Sequence, residues 1–242
     1  MVNQCLHYGE QRIPYRVFFL DGKKDKLVIH VLPDGDVQVD APRDASLLEV
    51  KRAVARRARW LDQHLQRIDS RKTHILSREY VSGESHFYLG RRHLLKVRQS
   101  RIEESSVKLH QGRFEVITQD RDRDAVSSLL RGWYRARARI LLAQRLELVS
   151  GQLSWVKEVP RWKLVAMKRQ WGSCSPSGIL SLNPHLVKAP LTCIHYVLTH
   201  ELCHLKHHNH SQHFYRLLAR QMPQWRAVKR RLDEMAERLL SD

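Results

Sequence analysis

Five consecutive residues, His200-Glu201-Leu202-Cys203-His204, with a further histidine at His210, are the part of this chain best equipped for chemistry. Histidines four apart on a helix stand on one face, one turn from each other. Their imidazoles can converge on a single zinc ion at about 2.0–2.1 Å each. Glu201, beside the first of them, can take a proton from a water on the metal. Three protein ligands leave the fourth tetrahedral position open, as in zinc sites that do chemistry rather than hold structure. The segment therefore points to a hydrolase built on one Zn2+ ion.

The third ligand follows from the continuation Leu205-Lys206-His207-His208-Asn209-His210-Ser211. On an unbroken helix His208 would share the face of His200, but about 12 Å along the axis, too far to close round one ion. The chain must turn back. Asn209 suits the left-handed residue that ends a helix, and Ser211 suits the N-cap of the next. His210 lies between these signals and is the expected third ligand, with His207, His208 and His213 as competitors. The plainer reading is an amphipathic helix that buries Ile194, Val197, Leu198, Leu202 and Leu205 and leaves the histidines at the surface. It explains the leucines and gives no reason for Glu201.

The elements that must position these groups are legible nearby. Pro190 fits the first turn of a helix, and no Gly or Pro interrupts the pattern from there to His208. A second helix is expected over Ser211 to Met222, ending near Pro223, and a third from Gln224 to Leu240. Upstream, extended runs over Lys163–Cys174 and Ile179–Asn183 flank Ser175-Pro176-Ser177-Gly178, which reads as a β-hairpin. A strand beside a metal-bearing helix can pair with an extended substrate by strand addition.

The N-terminal part reads as strands at Tyr15–Leu20, Leu27–Leu32 and Val37–Val39, separated by Asp21-Gly22 and Asp34-Gly35. A helix over Ser46–Gln66 follows, with Leu47, Val50, Val54, Ala58, Leu61 and Leu65 as its apolar stripe. Strands return at Phe87–Leu89, Leu94–Val97 and Phe114–Ile117, before a long helix over Arg123–Leu148. Alternating charges near Asp120 suggest a boundary there. The expected class is α+β, with a β-rich region over 1–120 and a metallohydrolase domain over 121–242. No internal repeat or low-complexity tract is visible.

Composition narrows the setting. No apolar run approaches the length of a membrane span, and the N-terminus lacks a secretion-signal pattern. Cys5, Cys174, Cys193 and Cys203 form no C-x-x-C pair, which fits reduced thiols and a cytoplasmic location. Cys203, between the two histidines, reads as a packed free thiol. With 43 Lys and Arg against 25 Asp and Glu, the formal charge is +18. Arg52, Arg56 and Arg59 share one helix face, and Arg131, Arg135 and Arg139 another. Arg91, Arg92, Lys96, Arg98 and Arg101 crowd a strand region. Such faces can attract nucleic acid or nucleotides non-specifically, or they are simply solvated surfaces; no DNA-reading motif is present.

Arg169-Gln170-Trp171-Gly172-Ser173-Cys174, Gly178-Ile179-Leu180-Ser181-Leu182-Asn183, His200-Glu201-Leu202-Cys203-His204-Leu205-Lys206, Asn209-His210-Ser211 and Phe214 together resemble the YgjP-like metallopeptidase family, a relative of SprT-like zinc proteins. The likeness is tight over residues 164–215 and looser at Gly83-Glu84 and Tyr88-Leu89-Gly90. It departs at Gln170, where that family usually has Arg, and at Tyr215, where it commonly has Trp. The resemblance implies a zincin-like catalytic domain in which His200, His204 and His210 bind zinc and Glu201 is the catalytic base. Its implied activity is a zinc metallopeptidase acting on protein or peptide, with Arg169, Ser173 and Tyr215 as candidate contacts to the transition state or substrate. Two alternatives stand beside it. One is a zinc-dependent nucleoside triphosphate (phosphoanhydride) hydrolase, disfavoured by the lack of a Gly-rich phosphate loop. The other is a non-catalytic nucleic-acid-binding zinc protein, in which Glu201 would have no use.

Overall fold

A computed structural model describes residues 2–9, 11–20, 27–31, 36–72, 78–167, 170–208 and 210–240. The chain is of the α+β class and falls into two compact units, Met1–Leu76 and Ser77–Asp242, each with its own buried core.

The first unit runs β1 (Val2–Tyr8), β2 (Gln11–Leu20), β3 (Val28–Val31), β4 (Val37–Pro42), α1 (Leu47–Arg56) and α2 (Ala58–Lys72). Its sheet has the order β1-β2-β4-β3, with β2 and β4 parallel and the two outer pairs antiparallel. Period-two alternation sends Ile13, Tyr15 and Val17 of β2, with Val37, Val39 and Ala41 of β4, to one face. Val50, Val54 and Leu61 close that core. The helix expected over Ser46–Gln66 is two helices. A bond from Arg57 N to Val54 O, 3.0 Å, closes α1. Ser46 caps it in a reciprocal box with Glu49. The turns expected at Asp21-Gly22 and Asp34-Gly35 lie outside the described residues.

The second unit begins with the same plan. Its strands β5 (Ser85–Tyr88), β6 (Arg91–Gln99), β7 (Ser106–His110) and β8 (Arg113–Thr118) precede a long helix, α3 (Arg123–Gly151). The sheet order is β5-β6-β8-β7, again with a parallel central pair and antiparallel outer pairs. The capped helix follows at the same place, Asp122 standing where Ser46 stands before α1. The chain therefore repeats a four-strand-and-helix unit, contrary to the expectation of no repeat. The similarity lies in alternation and topology, because Val37 and Val39 correspond to Phe114 and Val116 without a shared motif. Residues 77–120, grouped by the sequence pattern with the N-terminal part, belong to this second unit. Its core joins Leu95, Phe114 and Val116 to Val126, Leu130 and Tyr134. The charges near Asp120 serve locally, since the Asp122 carboxylate accepts from Ala125 N at 2.7 Å.

The remainder of this unit is β9 (Trp162–Leu164), β10 (Gly172–Cys174), β11 (Leu180–Leu182), a 3-10 turn Pro184–Lys188, α4 (Leu191–His204), α5 (Gln212–Gln221) and α6 (Trp225–Leu240). The expected hairpin is β10 against β11. The run Lys163–Cys174, however, is not one strand. Its start, β9, pairs in parallel with β11, so the order is β10-β11-β9. Buried Asn183 holds the intervening loop: its Nδ2 donates to Met167 O at 2.6 Å and to Gln170 O at 2.9 Å.

The turn between β5 and β6 docks onto the segment before α4. Leu89 and Gly90 have φ of 50° and 77°, a two-residue turn that matches sheet twist. Leu89 N donates to Val187 O at 2.9 Å, and Gly90 N to Lys188 O at 3.0 Å. A Cβ on Gly90 would stand 2.7 Å from Pro190 Cγ and 3.1 Å from Pro190 Cα. Gly90→Ala is therefore expected to lower the thermal midpoint, costing about 1 kcal/mol or more from positive φ and the clash together. A thermal melt of the two proteins checks this.

Candidate metal centre

The metal-bearing helix is held by its apolar face: Ile194, Leu198 and Leu202 are fully buried and Val197 nearly so. Pro190 precedes its first turn, and Ile194 N donates to Pro190 O at 3.0 Å. The helix stops at His204, four residues before the end that the pattern allowed. Its last turn tightens, with Leu205 N on Leu202 O at 3.2 Å and Lys206 N on Cys203 O at 3.1 Å. Trp155 Nε1 also donates to the carbonyl of Leu202, at 3.1 Å, sharing that acceptor with Leu205 N. The end of α4 is thus in place before Asn209, which lies outside the described residues. Ser211 caps α5, its Oγ accepting from Phe214 N at 3.4 Å.

This reversal brings His210 back onto His200 and His204. One ligand atom from each lies within 4.8 Å of the others, the one group of this kind among the described residues. His210 Nε2 and His200 Nε2 are 3.0 Å apart. Ligands of a tetrahedral zinc with bonds of about 2.0–2.1 Å stand about 3.3 Å from each other, so the spacing fits such an ion. The Nδ1–H of His204 donates to His207 O at 3.1 Å, which leaves its Nε2 as the ligand atom. Fully buried Phe214 lies under all three rings, with centroids 4.9, 4.6 and 4.8 Å from His200, His204 and His210. Burial, then the neighbouring His210 and His204, pushes the His200 imidazole down to about 2. Burial also lowers His204. Both rings are thereby kept neutral, the form that binds a metal.

Glu201 is 5% exposed, and burial pushes its carboxyl up to about 8. It rests against the backbone of β10. A Cβ on Gly172 would lie 2.9 Å from Glu201 Cγ and 3.0 Å from its Oε1. Gly172 is a site residue that the sequence pattern treated as part of a hairpin; a glycine inside a strand was the signal of close approach. Tyr196 was also missed, one turn before His200, with ring centroids 5.9 Å apart. Burial first, then Asp233, Tyr215 and Glu201, raises its phenol well above the usual range.

The other expected residues are placed unevenly. Tyr215 stacks on Trp225 at 5.3 Å, with its ring 6.0 Å from that of His210. Ser173 is next to Gly172 on β10, but strand alternation turns it to the opposite face. Arg169 lies outside the described residues. His207 and His213 stack on each other at 6.1 Å, outside the triad, and His208 is exposed. Cys203 is buried and Cys174 half-buried. Burial, then Glu201, pushes these thiols up to about 12 and about 11, so both stay protonated.

The family profile described as YgjP-like, metallopeptidase domain, matches residues 25–235. That span is most of the chain, which belongs to this family and so stands among the metal-dependent hydrolases. Among solved structures, the crystal structure of the metallopeptidase zymogen of Pyrococcus abyssi abylysin is similar over 40% of this chain and 90% of that one, at 20% identity and a TM-score of 0.32. No curated protein matches the chain. Among the described residues, no helix is long and apolar enough to cross a membrane.

The buried carboxyl makes the metal-free chain sensitive to pH. A folded-state value of about 8, against 4.5 for a free carboxyl, means that the folded state holds the proton longer than the unfolded state. Stability contributed by Glu201 is thus fully present below pH 4.5, falls as pH rises, and is gone above about 8. Glu201→Gln should raise the thermal midpoint of the metal-free chain at pH 9 and leave it nearly unchanged at pH 4.5. Melts at the two pH values, with a chelator present, measure the difference.

Proposed function

We propose that this chain is a zinc-dependent metallopeptidase in which His200, His204 and His210 hold one Zn2+ ion and Glu201 is the general base. The observation that carries this reading is the convergence of the His200, His204 and His210 imidazoles, the first two kept neutral by burial, beside the buried carboxyl group of Glu201. Bound there, zinc would lower the pKa of a water molecule and polarise the scissile carbonyl. The chain's own groups supply the rest. Glu201 takes the proton of the attacking water on a carboxylate oxygen and later returns it to the leaving amine. Gly172 keeps that carboxylate seated. The Nδ1–H of His204, held on the His207 carbonyl, fixes the ring's tautomer.

Substrate would enter beside β10, the edge strand of its sheet, where an extended peptide can add antiparallel to the free edge. Tyr215, on the His210 side of the centre, is the donor candidate for the developing oxyanion. The positive character of the chain also makes nucleoside triphosphates a necessary arm of any assay.

Three variants test the reading. Glu201→Gln should keep stoichiometric zinc and lose peptide hydrolysis by a factor on the order of 10² or more. His204→Ala should lose zinc in elemental analysis. Gly172→Ala should keep zinc and lose activity at least about tenfold, because about an ångström of misplacement at a catalytic group is costly. Parallel assays on unfolded protein, peptides and nucleoside triphosphates identify the bond. Full activity in Glu201→Gln, or cleavage of triphosphates alone, would overturn the proposal.

A further inference from the structure

The outer face of the second four-stranded sheet is an exposed, cation-rich plane that the metal site does not use. Along β6, alternate residues Arg92, Leu94, Lys96 and Arg98 are exposed, while Leu95 between them is buried. The register extends this face across the sheet. Leu94 pairs with Arg113, which pairs with His110; Lys96 pairs with Glu115, which pairs with Lys108. The plane thus carries five cations, Arg92, Lys96, Arg98, Lys108 and Arg113, against two carboxylates, Glu115 on β8 and Glu103 from the loop before β7. Arg98 is engaged by Glu103 through two bonds of 2.6 and 2.7 Å. Arg92, Lys96 and Arg113 form no ion pair among the described residues.

The repeated fold supplies an internal comparison. Among the described residues, the matching face of the first sheet has two cations, Arg12 and Arg16, against two carboxylates, Asp40 and, at its edge, Asp36. Arg16 pairs with Asp36, and His30 Nε2 lies 3.3 Å from Asp40. The same topology therefore does not demand a cationic face, and basic composition alone did not produce one on the first sheet.

We propose that the outer face of β6, β8 and β7 binds the phosphate backbone of single-stranded nucleic acid. Successive outward residues on β6 stand about 6.6–6.8 Å apart. That repeat can follow the phosphates of an extended strand. Guanidinium groups at Arg92 and Arg113 match phosphate geometry in a way that a point charge does not. Leu94, 46% exposed in the midst of the cations, offers a base an apolar seat. The face spans a four-stranded sheet, broader than the helix or two-stranded ribbon that a duplex groove admits, so a single strand is the better fit. Nothing in this inference depends on zinc or on Glu201.

Fluorescence anisotropy with a labelled oligo(dT), titrated across a salt series, tests it on the full zinc-loaded chain. The triple variant Arg92→Glu, Lys96→Glu, Arg113→Glu should weaken binding about tenfold or more. It should also flatten the slope of log K against log salt by about 2, the value for three lost single-strand phosphate contacts. Arg12→Glu on the first sheet should change neither, and zinc content should be unchanged in both variants. If the triple variant does not fold, as judged by circular dichroism, the milder Lys96→Gln, Arg113→Gln pair should still weaken binding and flatten the slope. Unaltered binding in the folded variants overturns the proposal. So does displacement of the oligonucleotide by polyglutamate at equal charge concentration, which would mark an acidic-protein surface, or equal displacement by duplex DNA.

Discussion

Everything at the centre depends on where α4 stops. Three imidazoles can surround one small ion only if the third arrives from a chain that has reversed, because the helical rise carries any further ligand on the same helix out of reach. The reversal begins directly after His204. The turn that follows is held by the indole of Trp155 on the Leu202 carbonyl and by the His204 ring on the His207 carbonyl. Phe214, carried on the first turn of α5, then forms the apolar floor on which all three rings rest. A helix end, an aromatic donor from elsewhere in the unit and a buried phenylalanine are therefore parts of one device.

The carboxylate imposes a second constraint, of space rather than reach. Glu201 is buried on the helix face that meets β10, and the strand can lie there because residue 172 has no side chain. The strand is in turn located by Asn183, which ties down the loop ahead of it. The start of α4 is seated from the other direction, by the tight Gly90 turn of the second sheet against Pro190. Motifs far apart in the chain, Tyr88-Leu89-Gly90, Trp171-Gly172-Ser173 and His200-Glu201, thus act on one helix. Membership of the YgjP-like metallopeptidase family is consistent with this arrangement, and the match spans both compact units.

The four-strand topology occurs twice, and its second copy serves two uses. In the second unit the inner face of the sheet packs on α3 and contributes to the core that supports the centre. Its outer face is left in water with charges that the first sheet's counterpart balances internally. The shared topology was hidden in the sequence because strands need only an alternation of apolar and polar residues, which many unrelated residues satisfy. The fourth strand of each unit and the helix cap after it correspond, yet valines stand opposite phenylalanine and valine, and serine opposite aspartate.

The sequence by itself determined the chemistry that is available. The four-residue spacing of His200 and His204, the carboxylate between them and the apolar stripe from Ile194 to Leu202 specify a half-buried helix with two imidazoles on one face. Local rules also marked Ser211 as a cap and Ser175–Gly178 as a turn, since caps and tight turns are decided by neighbours in the chain. Tertiary structure decided what local rules do not reach. It split the run Lys163–Cys174 into strands on opposite edges of one sheet and brought Gly172 against Glu201. It also gathered Lys108 and Arg113 onto the plane of β6. Each of these outcomes rests on a partner distant in sequence, so no window of neighbouring residues contains the information that fixes it.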